Sequence, residues 1–173
     1  MGTRSRIAVL LKEDDRTLGK ELKFNPNKIE HQYSRPDGEF KPKYNLKDIE
    51  FEPMVVPEKA EVVSMYCQFD GYLEGVGETL VRDYDTYDKA LNLVLGGPAE
   101  SIARHVLSDD GEYSGGYRNC LQDYPNSTRP KTVFSNIDNM PYEAFTYLFK
   151  DGEWYYDKDG GWSLVLNDIL IPV

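Results

Sequence analysis

Apolar and polar residues alternate in two separate stretches of the chain, and this period of two predicts two half-buried strands. Residues 4–11 form the first stretch and residues 61–69 form the second. In the second stretch the alternation places Cys67 on the same face as Met65 and Phe69. We therefore expect Cys67 to be a small buried apolar side chain rather than a nucleophile.

A spacing of three to four residues between apolar positions takes over in residues 75–107 and predicts helices there. The first apolar stripe runs along residues 76–84. A second helix is expected to begin near Asp85-Thr86, which can cap it, and to end at Gly96-Gly97. A third helix is expected to begin at Pro98, because proline suits the first turn of a helix.

The last part of the chain contains a hairpin signal. Residues 144–149 and 154–156 are apolar and aromatic, and Asp151-Gly152 between them predicts a tight turn. Residues 162–170 are expected to form a short closing helix. Together these elements predict an α+β fold, with a small, mainly antiparallel sheet and helices packed on one of its faces.

Two stretches depart from these patterns. Residues 13–60 are rich in proline and lysine and poor in hydrophobic residues. We expect them to form an extended insertion, with at most one short strand or ribbon, inside a single domain that spans residues 1–173. Residues 108–132 are expected to form a long loop, and loops of that length in compact domains are commonly functional or mobile.

The charge is distributed unevenly along the chain. Residues 1–60 contain 12 Lys or Arg and 11 Asp or Glu, whereas residues 61–173 contain 8 and 19, which gives the net charge of −10. An acidic surface argues against direct binding to nucleic acid, which requires clustered cations. It suits a basic partner protein, including one that itself binds nucleic acid. Ordinary solubility is the other explanation of the same charge.

Several kinds of chemistry lack the residues they need. The only histidines are His31 and His105, and the two cysteines are far apart, so no metal site and no cofactor are expected. Gly71 and Gly77 have the wrong spacing for a phosphate loop, and Glu78 stands where that loop needs lysine. The sequence contains no secretion signal and no apolar run of membrane-spanning length. We therefore expect a cytoplasmic protein with no membrane contact.

Two sequence segments carry a resemblance. Met1-Gly-Thr-Arg-Ser5 and Tyr66-Cys-Gln-Phe-Asp-Gly-Tyr-Leu-Glu-Gly-Val-Gly77 together resemble an uncharacterised family of phage and bacterial proteins. The resemblance covers about half of the chain, and the 13–60 insertion departs from it. It implies kinship and a phage origin, and therefore a host cytoplasm as the location, but it implies no activity.

Pairing of the two predicted strands would bring the amino terminus of the first next to the end of the second. Six side chains at this corner are candidates for ligand binding: Arg4, Tyr66, Gln68, Asp70, Tyr72 and Glu74. The nearby glycines permit close backbone approach at a helix amino terminus. The competing interpretation is a purely structural strand–turn–helix corner held by an ion pair between Arg4 and Asp70.

Two functions remain open from the sequence. The first is a non-enzymatic, phage-encoded protein that binds a host or defence protein through an acidic, tyrosine-rich surface. The alternative is a protein that binds a nucleotide or metabolite, or a minor hydrolase, at the corner formed by Arg4, Tyr66, Asp70 and Glu74. No catalytic residue is assigned in either case.

Overall fold

The computed structural model of the protein describes residues 3–25, 53–99, 102 and 132–169. Within these ranges there are eight strands: β1 Ser5–Leu10, β2 Glu21–Leu22, β3 Met54–Val55, β4 Val62–Cys67, β5 Val133–Ser135, β6 Phe145–Lys150, β7 Glu153–Lys158 and β8 Gly161–Leu164. Two α-helices, α1 Glu78–Asp83 and α2 Tyr87–Leu95, lie between β4 and β5.

The strands form a mixed, mostly antiparallel sheet. Its order is β5-β4-β1-β6-β7-β8, and a separate ribbon pairs β2 with β3. The central strand β1 runs antiparallel to β4 and parallel to β6. Its register sets Arg6 opposite Tyr66 on one side and opposite Thr146 on the other. The two helices contact this sheet, and the α+β fold is thereby confirmed.

The main core lies between the sheet and the helices. The alternation in β1 and β4 turns Ile7 and Met65 toward the helices, and both are fully buried. Leu80 of α1 and Leu93 of α2 pack against them in the same cluster. Cys67 is also fully buried in this core, as the alternation predicted.

The first helix lies within the predicted apolar stripe of residues 76–84, but a turn of a different kind precedes it. A π-helical turn, Leu73–Gly77, precedes α1 and continues directly into it. Thr86 caps α2 by accepting a hydrogen bond from the amide of Lys89 at 3.2 Å. The helix ends at Gly96, so both predicted boundaries of this helix are confirmed.

The predicted start of a third helix at Pro98 is wrong. Ala99 instead forms a parallel bridge with Cys67 at the end of β4. Its amide donates to the carbonyl of Tyr66 and its carbonyl accepts from the amide of Gln68, both at 3.0 Å. These two backbone hydrogen bonds hold the chain extended where proline alone would have permitted a helix. Except for residue 102, the rest of the predicted helix lies outside the described residues.

The predicted closing helix at residues 162–170 is also wrong. Gly161–Leu164 is the strand β8, and a 3₁₀-helix, Val165–Asp168, follows it. The reason is a second hairpin turn at Asp159-Gly160, where φ is positive at both residues, as it is at Asp151-Gly152. Turns of this kind match the twist of antiparallel strands and continue the meander.

The two ends of the predicted insertion lie in the described part of the chain. The β2–β3 ribbon joins them, and Leu22, Phe24 and Val56 are buried in the main core. Asn92 of α2 accepts from the amide of Asn25 at 2.8 Å and donates to its carbonyl at 2.9 Å. The ends of the insertion are thus attached to the main core. Residues 26–52 and most of the predicted 108–132 loop lie outside the described ranges.

None of the described helices is long and apolar enough to cross a membrane.

Candidate functional site

The predicted corner after β4 is held together by main-chain contacts. The amide of Gly71 donates to the carbonyl of Thr3 at 2.8 Å, and the hydroxyl of Tyr147 donates to the carbonyl of Gly71 at 2.6 Å. A Cβ atom at position 71 would lie 2.8 Å from the Thr3 carbonyl oxygen. Glycine is therefore required at this position for the turn to pass the amino terminus of β1.

The other glycines of the corner have equally direct explanations. A Cβ atom at Gly75 would overlap the carbonyl oxygen of Asp70, which accepts a hydrogen bond from the amide of Val76 at 2.8 Å. A Cβ atom at Gly77 would lie 3.3 Å from the ring of Tyr147. Backbone packing thus accounts for the glycine spacing in the motif, and this supports the structural interpretation of the corner.

The ion pair expected at the corner is absent. Arg4 and Asp70 are both exposed, and no ion pair joins them among the described residues. Asp70 has a left-handed backbone with φ of 60°, and its carbonyl group, rather than its carboxylate, makes the contact that closes the turn. The corner is stabilised by hydrogen bonds of the main chain and of Tyr147, so no ion pair is needed there.

The six predicted residues do not converge on one point. Tyr72 and Glu74 are exposed on the π-helical turn, and Glu74 acts electrostatically on Tyr147 beneath the helices. Burial raises the pKa of the Tyr147 phenol, and the charge of Glu74 raises it further. The neutral hydroxyl is therefore retained as the donor to Gly71. A binding role for the six residues stays a prediction.

Tyr66 and Gln68 lie on the opposite face of the sheet, away from the helices. The hydroxyl of Tyr66 donates to Oε1 of Gln68 at 2.6 Å. The register places Tyr66 beside Arg6 and thereby on the same face of the sheet. These two predicted residues therefore belong to a second polar group, which is centred on Arg6.

Arg6 is a charged side chain inside an otherwise buried strand. It is 4% exposed, and its Nε and Nη1 atoms have no hydrogen-bond partner within the described ranges. Burial lowers the pKa of the guanidinium, while the nearby charge of Glu143 acts to raise it. The hydroxyl of Thr146 accepts from the Glu143 amide at 3.1 Å and donates to the Glu143 carbonyl at 3.2 Å, which fixes this loop beside Arg6.

An acidic aromatic patch, made of Asp138, Tyr142, Asp157 and Trp162, lies on the same face. Tyr142 is 44% exposed, and its ring centroid is 6.3 Å from that of Trp162. Asp157 pairs with Trp162 across β7 and β8, and Asp138 lies in a 3₁₀-helix, Ile137–Asn139, before Tyr142. The patch therefore presents aromatic rings and carboxylates side by side.

Electrostatics at the patch favour a cation. Burial raises the pKa of the Tyr142 phenol, and the charges of Asp157 and Asp138 raise it further. Residues 132–169 contain seven Asp or Glu and only two Lys. The face of a neutral tyrosine ring attracts cations, and neighbouring carboxylates strengthen that attraction.

No family model, curated protein or solved structure matches this chain. Its function must therefore be argued from its own geometry. In the ranges given above, no group of three or more His, Cys, Asp or Glu residues is arranged to hold a metal ion.

Proposed function

We propose that this chain is a non-enzymatic binding protein that engages a basic partner protein through the acidic aromatic patch. The observation that supports this proposal is the exposed Tyr142 ring, stacked at a tilt near Trp162 and flanked by Asp138 and Asp157. Because of the resemblance to phage proteins, a host or defence protein in the host cytoplasm is the partner to test first.

The chemistry of the patch suits lysine or arginine side chains. A cation over an exposed aromatic ring contributes about 0.5–1 kcal/mol. A surface ion pair contributes about as much or less, so one contact gives little affinity by itself. Two rings and two carboxylates in one place can engage several cations together. The surrounding negative charge would also accelerate the encounter with a basic protein.

Solubility is the competing explanation of the acidic residues. It accounts for exposed carboxylates but not for an exposed aromatic ring beside them, because surfaces that only confer solubility carry few large aromatic side chains. Tyrosine and tryptophan are, in contrast, enriched where proteins bind one another.

The alternative function at the corner has less geometric support. Tyr66 lies on the face of the sheet opposite the helices, whereas Glu74 lies near Tyr147 beneath them. Arg4 and Asp70 are exposed and make no ion pair with each other in the described part of the chain. The glycines of the corner are explained by its own backbone contacts.

Affinity capture with paired variants tests the proposal. The tagged protein is used to retain bacterial proteins at low and at high salt, and the affinity of any retained protein is then measured directly. We expect a basic protein whose binding weakens with salt. Its affinity should fall about tenfold or more in the variant D138N/D157N, because several contacts and the local field are lost together.

The matched control is the variant D14N/E58Q, which changes the net charge by the same amount. Asp14 and Glu58 are exposed, and in the described ranges their side chains form no hydrogen bond or ion pair, so these changes leave the patch intact. Equal losses of affinity in both variants would mean that general charge, rather than the patch, mediates binding.

A further inference from the structure

A buried guanidinium lies on the face of the sheet opposite the helices, and the proposed partner surface does not use it. Arg6 is 4% exposed, and Nε and Nη1 have no hydrogen-bond partner among the described residues. Removing a charge from water without a hydrogen-bonding partner is strongly unfavourable. We propose that Arg6 is the recognition group of a binding site for a small carboxylate ligand.

Neighbouring side chains supply further polar groups to this site. Tyr66 and Thr146 lie beside Arg6 on the two adjacent strands and are themselves buried. Ser64 is two residues before Tyr66 on the same face of β4, and its buried hydroxyl has no partner within the described ranges. The hydroxyls of Tyr66 and Thr146 already donate to Oε1 of Gln68 and to the Glu143 carbonyl. The site therefore combines one cation with the Ser64 hydroxyl, which is left to donate a hydrogen bond to a carboxylate.

The charges around Arg6 favour a monoanion over a dianion. The Glu143 charge acts on Arg6, and the whole chain has a net charge of −10. A dianionic phosphate would meet this repulsion with two charges, while only one guanidinium is present to offset it. Guanidinium groups also match carboxylates well, because their parallel N–H bonds point at both carboxylate oxygens.

This site and the acidic aromatic patch bind groups of opposite charge. The patch attracts cations, whereas Arg6 attracts an anion. The two proposals can therefore succeed or fail separately, because the assay below contains no partner protein.

Nitrogen NMR of the full-length protein tests the site directly. The Nε–H signal of Arg6 is assigned through bonds from its own backbone, and sodium benzoate, benzamide and inorganic phosphate are then added separately. We expect a saturable shift of this signal with benzoate and none with benzamide, its neutral counterpart. An equal shift with benzamide, no shift with benzoate, or a larger response to phosphate would each overturn the carboxylate site.

Substitution of Glu143 separates a ligand site from a structural ion pair. If a ligand occupies the site, E143Q removes a repulsive charge, and benzoate should bind about three- to tenfold more tightly. If Glu143 is the structural partner of Arg6, E143Q should leave the affinity unchanged and accelerate exchange of the Arg6 Nε–H proton, which would contradict the proposal. The control E58Q changes the same charge on an exposed loop, and its affinity should stay within about twofold of the unmodified protein.

Discussion

The two faces of the sheet use the same strands for different purposes. On the helix face, β1 and β4 contribute Ile7 and Met65 to a continuous apolar core. On the other face, the next residues along the same strands are Arg6 and Tyr66, which are buried but polar. The helix face carries the larger apolar core. The opposite face has a smaller apolar cluster around Leu148 and also buries a charge whose cost packing does not explain.

A pair of tryptophans tests this division most strongly. Trp154 is buried on the helix face, lies edge-on to Phe149 at 5.2 Å and donates to the carbonyl of Tyr84 at 2.7 Å. Trp162 lies half-buried on the other face. We expect W154A to lower the free energy of unfolding by about 3–5 kcal/mol. W162A should lower it by about 1–2 kcal/mol, since less of its side chain is buried. Chemical denaturation measures both values, and equal losses would contradict the division.

Substitution of a glycine tests whether the corner belongs to the structural side of the comparison. G75A would force a Cβ atom against the Asp70 carbonyl and should cost about 2–3 kcal/mol or more, because backbone must move. Gly161 is the matched control, since a Cβ atom there would lie no closer than 3.9 Å to its nearest neighbour, the Lys158 carbonyl oxygen. G161A should change the free energy of unfolding by less than about 0.5 kcal/mol. If G75A leaves the free energy of unfolding unchanged, the corner is not held by its backbone contacts, and the structural interpretation is wrong.

Removal of the buried charge of Arg6 should raise the free energy of unfolding, in contrast to the two substitutions above. R6M replaces the Arg6 guanidinium with an apolar side chain of similar length, so the cost of burying an unpaired charge disappears. We expect the free energy of unfolding to rise by about 1–2 kcal/mol. The same substitution should abolish the benzoate response of the protein. A loss of stability in R6M would show that Arg6 is held by favourable contacts. The face opposite the helices would then stabilise the fold as the helix face does.

An ion pair on the helix side gives the smallest predicted effect. Asp15 accepts hydrogen bonds from Tyr87 at 2.5 Å and from Lys20 at 2.6 Å. Burial alone would raise the pKa of Asp15, but these two partners outweigh it and lower the pKa below its ordinary value. Its stabilisation is therefore present above the ordinary pKa and is lost as the pH falls through the lowered one.

The variant D15N should therefore be less stable than the unmodified protein by about 1 kcal/mol at neutral pH. The difference should shrink as the solution is acidified below about pH 4 and the carboxylate becomes protonated. Urea titrations at several pH values measure this difference. A difference that stays constant with pH would mean that the charge of Asp15 contributes nothing to stability.

Local signals predicted the elements whose periodicity is clear. The alternation around Ile7 and Met65 indicated β1 and β4, and the Thr86 cap and Gly96 marked both ends of α2. The apolar run after Trp162 has no clear period, so its conformation depended on the turn before it. The parallel pairing of β1 with β6 has no local signal at all, because it is decided by the packing of the whole sheet.

The sequence predicted the polar group around Arg6 less well than it predicted the fold. The motif drew attention to Tyr66, which lies opposite Arg6 in the register, and to Gln68, which accepts a hydrogen bond from Tyr66. The sequence does not single out Arg6, because a period of two shows only that it faces away from Ile7. Whether that second face is exposed or covered depends on distant residues such as Met140, which packs over the same face.

The central position of β1 has a consequence for synthesis of the protein. β1 can pair with β4 early, but its other partner, β6, begins only at Phe145. At about 5–20 residues per second, a ribosome needs roughly 7–27 s to make the chain between β1 and β6. During that interval one side of β1 is an unpaired apolar edge, which is the kind of edge that aggregates. Expression of this protein should therefore be sensitive to truncation before β6 and to chaperones that shield the nascent amino-terminal strand.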